Sequence, residues 1–321
     1  LDAFAQSVTG SEGVLATTAR TLLDALGLAE KATVPADADD EAARTRAALA
    51  ALDAELGAGW VKSVTPAFAP ERAVLIDDRW ATAREDVARL GSGETDLDAF
   101  RRLLAPERFV GLGQAVADHA TWWAEQAKAS DLADGAERAA VLTAIAQAAP
   151  RTPQAGDATV RWSEDVAVVT GVAPGSIAAA VVGELLAGGA TVVATSSRLT
   201  HERLEFATTL YREHAAAGAK LWMVPANLSS YRDVDALAEW IGNDQVVTSG
   251  GSTKVVKEAL VPTLLFPFAA PRVSGTLADA GPAAESQTRL LLWSVERTIA
   301  ALSAIGTDTH VDHRLHVVLP G

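Results

Sequence analysis

A chain of 321 residues, 49% hydrophobic and 21% charged, can bury the core of one large domain or two ordinary ones. Its formal net charge of −14 argues against nucleic acid or an anionic membrane as the main partner, and the absence of cysteine excludes disulfides, thiolate chemistry and cysteine-held metal. No leader-like opening or apolar run of membrane-spanning length stands out, so a cytoplasmic location is expected; an opening on Leu1 points to a piece of a longer polypeptide.

The first 150 residues are rich in alanine, with apolar residues at helical spacing. Val14–Leu28 gathers Val14, Leu15, Leu22, Leu23, Leu26 and Leu28 on one broad face, and Glu41–Leu56 repeats the pattern with Ala47, Leu49, Leu52 and Leu56. Asp37, Asp39 and Asp40 offer caps and favourable charge to that second helix. Further helices are predicted at Asp77–Leu90, Asp96–Leu104, Leu112–Ala129 and Gly135–Ala149. With no period-two strand in sight, residues 1–155 read as a mainly helical region, closed by the proline- and glycine-bearing loop Pro150–Thr159.

From 156 to 321 short apolar runs alternate with helices. Strands are predicted at Asp165–Thr170, Thr191–Thr195, Lys220–Pro225, Thr263–Phe268 and Leu315–Leu319. Helices are predicted at Ser176–Ala187, Glu202–Ala216, Asp233–Ile241 and Ala284–Ala304. The glycine- and serine-rich stretch Gly242–Val261 reads as a loop insertion. Apolar strands alternating with helices require a parallel sheet covered on both faces, so the fold class is α/β: an incomplete Rossmann unit behind a helical region.

The loop Thr170-Gly171-Val172-Ala173-Pro174-Gly175-Ser176-Ile177 joins the first strand to the first helix. Gly171 permits a tight turn, and Gly175 removes a side chain where backbone must approach a pyrophosphate. The amides of Ser176 and Ile177 open a helix whose positive end favours phosphate. Two glycines alone are common in such loops; their place at the first of five alternating units marks this one as dinucleotide-binding. The second strand runs into Ser196-Ser197-Arg198, without the carboxylate that binds an NAD ribose. Hydroxyls and a guanidinium suit a 2′-phosphate instead, so NADPH is the expected cofactor. Asn227 and Leu228 take the adenine-cradling position, and Phe268, Ala269 and Ala270 the position beside the nicotinamide ribose.

Catalytic residues are not found. Tyr211 and Tyr231 are followed four residues later by Ala215 and Asp235, not lysine, so packing or surface roles are expected. His310, His313 and His316 lack metal-ligand spacing, and Gly250-Gly251-Ser252-Thr253-Lys254 has the composition of a phosphate loop in the wrong order. It is expected to be a flexible loop.

Val168–Gly171 with Gly175–Ile177, Ala194–Leu199, Val224–Asn227 and Phe266–Ala270, in that order, resemble the ketoreductase of type I fatty acid synthases, actinobacterial and fungal above all. Asp78-Arg79-Trp80-Ala81-Thr82-Ala83-Arg84-Glu85-Asp86 resembles the segment between acyl carrier and ketoreductase there, and Leu1–Glu30 the tail after the acyl carrier domain. The resemblance implies the cofactor half of an NADPH-dependent 3-oxoacyl-carrier reductase within a multifunctional, oligomeric synthase. Its partners would be the acyl carrier and other synthase domains, and its catalytic serine, tyrosine and lysine would follow Gly321. Ser294 stands where a helper asparagine is common, and Ala178 where a third glycine is common. The alternative is a non-catalytic structural module, for which Trp122-Trp123 offers an interface anchor. A stand-alone short-chain reductase fits the helical first half poorly.

Overall fold

The computed structural model describes residues 41–56, 59–100, 103–271, 280–306 and 314–320, with 17, 18 and 21 besides. Of the helix expected at Val14–Leu28 only Thr17, Thr18 and Thr21 are described, all three helical; its other residues lie outside the described residues, as do His310 and His313. In chain order, α1 (Glu41–Leu56) and α2 (Trp60–Val64) precede β1 (Val74–Ile76), α3 (Arg79–Ser92), α4 (Leu97–Phe100), α5 (Gln114–Ala129) and α6 (Gly135–Ala148). Next come β2 (Val166–Val169), α7 (Ile177–Ala187), β3 (Thr191–Ser196), α8 (His201–His214), β4 (Lys220–Pro225) and α9 (Tyr231–Gly242). The chain continues through β5 (Gln245–Ser249), β6 (Ser252–Lys257), β7 (Leu264–Phe266), α10 (Ala280–Thr288), α11 (Ser294–Ser303) and β8 (His316–Val317).

Six strands form one sheet in the order β1-β4-β3-β2-β7-β8. Every neighbouring pair is parallel except β1 and β4, which run antiparallel. A mostly parallel sheet with crossover helices is compatible with a Rossmann-like fold. Ala167, Val168 and Val169 of β2 are fully buried, as a central strand covered on both faces demands.

Described parts of the chain fall into two compact units. The first takes them from Leu1–Pro66, Asn227–Val234 and Ala270–Arg297. Leu52 and Trp60 form its small core, and the Trp60 indole donates to the Glu285 carboxylate. Arg289 also donates to Glu285 and lies over the Tyr231 ring, with Arg297 on the same ring. The second unit takes them from Ala67–Ala226, Asp235–Ala269 and Thr298–Gly321. It holds a core around the sheet and a helical core built from α3, α5 and α6. On α5 the inward positions are small: Ala117, Ala120, Ala124 and Ala127 are buried, which lets its neighbours come close. Gly91 of α3 is pressed on Trp123 so tightly that a Cβ would lie 2.4 Å from Cε3 of the indole.

The structure differs from the sequence reading in three places. Val74–Ile76 is a strand in the half read as helical; three residues are too few to show periodicity, and only pairing with β4 makes them extended. The loop expected within Gly242–Val261 is a β-hairpin, and Gly250-Gly251 is its turn rather than a flexible loop. Gly250 and Gly251 both have positive φ, 57° and 83°, as a two-residue turn matching strand twist requires. The long helix expected at Ala284–Ala304 contains a π turn at Arg289–Trp293.

Candidate functional site

The loop after β2 is built around two glycines with left-handed backbone. Gly171 has φ 73° and Gly175 has φ 71°, both disfavoured for other residues. At Gly171 a Cβ would also lie 2.6 Å from the Cα of Ala269, so the strand ends of β2 and β7 approach by backbone alone. Thr170, buried at the end of β2, accepts a hydrogen bond from the Ala269 amide at 2.9 Å and fixes that approach. Gly175 differs, because no protein atom lies within 4 Å of where its Cβ would be. Its left-handed turn faces open space beside the exposed Pro174.

Ser176 caps α7: its hydroxyl accepts from the Ala179 amide at 3.1 Å and donates to the Ala173 carbonyl at 2.7 Å. That leaves the amides of Ile177 and Ala178 among those a helix start cannot satisfy internally. Ile177 is 75% exposed, unusual for isoleucine, and Ala178 is buried where a third glycine is common. The Val172 amide donates to Thr195 of β3, and the Arg203 guanidinium on α8 reaches the Val172 carbonyl at 3.4 Å.

At the carboxyl end of β3, Thr195 and Ser196 are buried while Ser197 and Arg198 are exposed. The Ser196 hydroxyl donates to the Arg198 carbonyl at 3.0 Å and folds this end back. Thr200 then caps α8 by accepting from the Arg203 amide. Phe268 stacks at an angle on Phe266, ring centres 5.8 Å apart, and continues into Ala269. Thus Gly171, Pro174, Gly175, Ser176, Ile177, Ser196, Ser197, Arg198, Phe268 and Ala269 all stand at the carboxyl ends of β2, β3 and β7 or in the loops leaving them.

Asn227, Leu228 and Ala270 belong to the first unit. The Asn227 side chain is fully engaged there: its amide donates to the carbonyls of Ser63 and Thr65 at 2.7 and 2.8 Å, and its oxygen accepts from the Ser229 amide. It clasps the carboxyl end of α2, a role that the sequence pattern did not indicate. Arg72 and Arg203 were also missed. Arg72 donates to the Leu199 carbonyl at 3.2 Å, but nothing in the sequence around Pro70 ties that turn to the end of β3.

Neither tyrosine is poised as a proton donor. Tyr211 is 2% exposed, donates to the Ala219 carbonyl at 3.0 Å, and burial pushes its phenol above the usual range. It lines a small cavity with Arg79, Asp86, Arg108 and Arg212. There the buried Asp86 carboxylate accepts two bonds from Arg212, tying α3 to α8. Burial raises the Asp86 pKa, partly offset by Arg212, while burial lowers that of Arg108 to about 10. Trp122 is 51% exposed and Trp123 packs on the helical core, with the two rings edge to face. Ser294 is buried. Among the described residues no helix is long and apolar enough to cross a membrane.

No family model matches the chain. It is similar to fungal fatty acid synthase alpha subunits over part of its length. It is 32% identical over 163 residues to the fatty acid synthase subunit alpha of Schizosaccharomyces pombe, covering 50% of this chain and 8% of that subunit. The subunit alpha of Candida parapsilosis is 33% identical over 144 residues, 44% of this chain and 7% of that protein. The alpha subunit pigJ of Monascus ruber is 45% identical over 84 residues, 26% of this chain and 5% of that protein. The matched part of the chain thus spans less than a tenth of these relatives, and its homologues are type I fatty acid synthase alpha subunits.

Proposed function

We propose that this chain is the cofactor-binding part of an NADPH-dependent 3-oxoacyl-carrier reductase within a type I fatty acid synthase. The observation carrying this reading is the turn Gly171–Ile177 at the carboxyl edge of the parallel sheet. It combines left-handed glycines, open space over Gly175 and an exposed Ile177 at a helix start. These residues fit a dinucleotide: the first-turn amides of α7 would hold its pyrophosphate, and the exposed Ser197 and Arg198 its 2′-phosphate. Phe268 and Ala269 would run beside the nicotinamide ribose. The bound nicotinamide would supply hydride to the 3-oxo carbon of an acyl thioester. This chain's residues would orient the cofactor, while the proton donor would be a group other than Tyr211 and Tyr231. Partners would be the acyl carrier domain and other synthase domains.

Titration of the chain with NADPH and NADH, by calorimetry or nicotinamide fluorescence, tests the reading. Selective NADPH binding, weakened roughly tenfold by Arg198→Ala, is expected. Equal binding of both nucleotides, or of neither, would refute it.

A second reading is a structural module without turnover of its own. The engagement of Tyr211 by the Ala219 carbonyl, and of Tyr231 by Arg289 and Arg297, favours it for the isolated chain. A 3-oxoacyl thioester assay with NADPH decides, since cofactor oxidation by this chain alone would exclude it.

A further inference from the structure

The strand β1 runs against every other strand of its sheet. In a parallel sheet the carboxyl ends of the strands form the ligand-binding edge. Reversing one strand brings its amino end to that edge. The register makes this concrete: Val74 stands opposite Met223 of β4, which stands opposite Ala194 of β3, while Ile76 pairs with Leu221 towards the far edge. The turn Pro70–Arg72, just ahead of Val74, is therefore delivered to the side of the sheet where β3 and β4 end.

Arg72 uses that position. Its Nη2 donates to the Leu199 carbonyl at 3.2 Å, one residue beyond Arg198, and its side chain is otherwise exposed. A guanidinium has five N–H donors, and this bond consumes one. The neighbouring turn Val172-Ala173-Pro174 is met by a different guanidinium, that of Arg203, which donates to the Val172 carbonyl at 3.4 Å. The Arg72 guanidinium thus reaches, from a distant part of the chain, the short loop that carries the exposed Arg198.

Building on the cofactor reading above, we infer that Arg72 is a second specificity-determining residue, placing its guanidinium with that of Arg198 on the adenosine 2′-phosphate. The Leu199 carbonyl orients it, and bidentate contact with phosphate oxygens is the geometry guanidinium favours. Preference for a phosphorylated ribose is then set partly by residues more than a hundred positions ahead of the strand they serve.

Calorimetry on the full chain with adenosine 2′,5′-bisphosphate and with 5′-AMP isolates the 2′-phosphate from the rest of the cofactor. Arg72→Met should weaken the bisphosphate about tenfold and leave 5′-AMP unchanged, while Arg72→Lys should keep part of the preference. An unchanged melting temperature for Arg72→Met would confirm that the exposed site is not needed for folding. If Arg72→Met weakens both ligands equally, Arg72 only braces the loop and the inference is overturned. If it changes neither while Arg198→Ala abolishes the preference, the inference alone fails. If the unaltered chain shows no preference for the bisphosphate, the cofactor reading fails and the inference with it.

Discussion

Replacing Asp86 by alanine should destabilise the second unit by about 3–5 kcal/mol, the cost of orphaning the partner of a buried ion pair. Asp86 is 1% exposed and is held by the Arg212 guanidinium, whose side chain is 21% exposed. With the carboxylate gone, Arg79, Arg108 and Arg212 share one cavity without it. Arg212 can swing partly towards water and Glu85, which alone would put the loss near the lower bound. Arg108 cannot escape as easily, since burial and its two arginine neighbours already lower its pKa to about 10 and Asp86 is its largest favourable charge. Burial also raises the Asp86 pKa, so the pair is costly to bury and still costlier to break. Urea unfolding of Asp86→Ala, Arg212→Met and the double variant should show strong coupling: the double loses about 1–3 kcal/mol less than the sum of the singles. A loss below about 1 kcal/mol for Asp86→Ala, or strictly additive losses, would refute this account of how α3 is fastened to α8.

The two glycines of the turn should separate folding from binding. Gly171→Ala forces a Cβ into the Ala269 backbone at a φ of 73°, and should cost about 2–4 kcal/mol in denaturant unfolding. Gly175→Ala meets no protein atom, so it should cost only the strain of its left-handed backbone, about 1–2 kcal/mol, while sharply reducing NADPH binding. Lys257 gives a pH test. It is 4% exposed, donates to the carbonyls of Ile241, Asn243 and Glu258, and burial lowers its pKa from 10.5 to about 8. Between those values the unfolded chain holds the proton that the folded chain has released, so this amine makes stability rise with pH across that window. Melting curves from pH 7.5 to 10.5 should lose that component in Lys257→Met, and an unchanged pH slope would contradict the assignment.

Much of the fold was legible because its periodicity is long or its apolar runs are dense. The helix at Glu41–Leu56 and the strand at Lys220–Pro225 occupy the spans their patterns mark. The glycine turn is legible for another reason: only glycine meets both the left-handed backbone and the contact with Ala269. Where composition and pattern disagree, the pattern was the better guide. Gln245–Lys257 carries glycine and serine at its centre, yet valine and threonine flank a two-glycine turn, and the backbone follows them into a hairpin. What stayed hidden depends on pairing between distant segments. Val74–Ile76 is extended because β4 has a free edge, and Arg72 approaches Leu199 because β1 is reversed. The Asn227 side chain was assigned to a ligand from its place after the third predicted strand, whereas its amide is spent on the carbonyls of Ser63 and Thr65.

The reversed strand also limits how this polypeptide can be divided. A shortened protein starting at the loop after α6 would keep every parallel strand yet strip the partner from Leu221, Trp222 and Met223. The uncovered border of β4 would then offer its backbone to any other chain, and such borders recruit strands from neighbouring molecules. Residues 67–78 are in this sense a built-in selvedge, replacing the six-residue border of β4 with an edge strand of three residues.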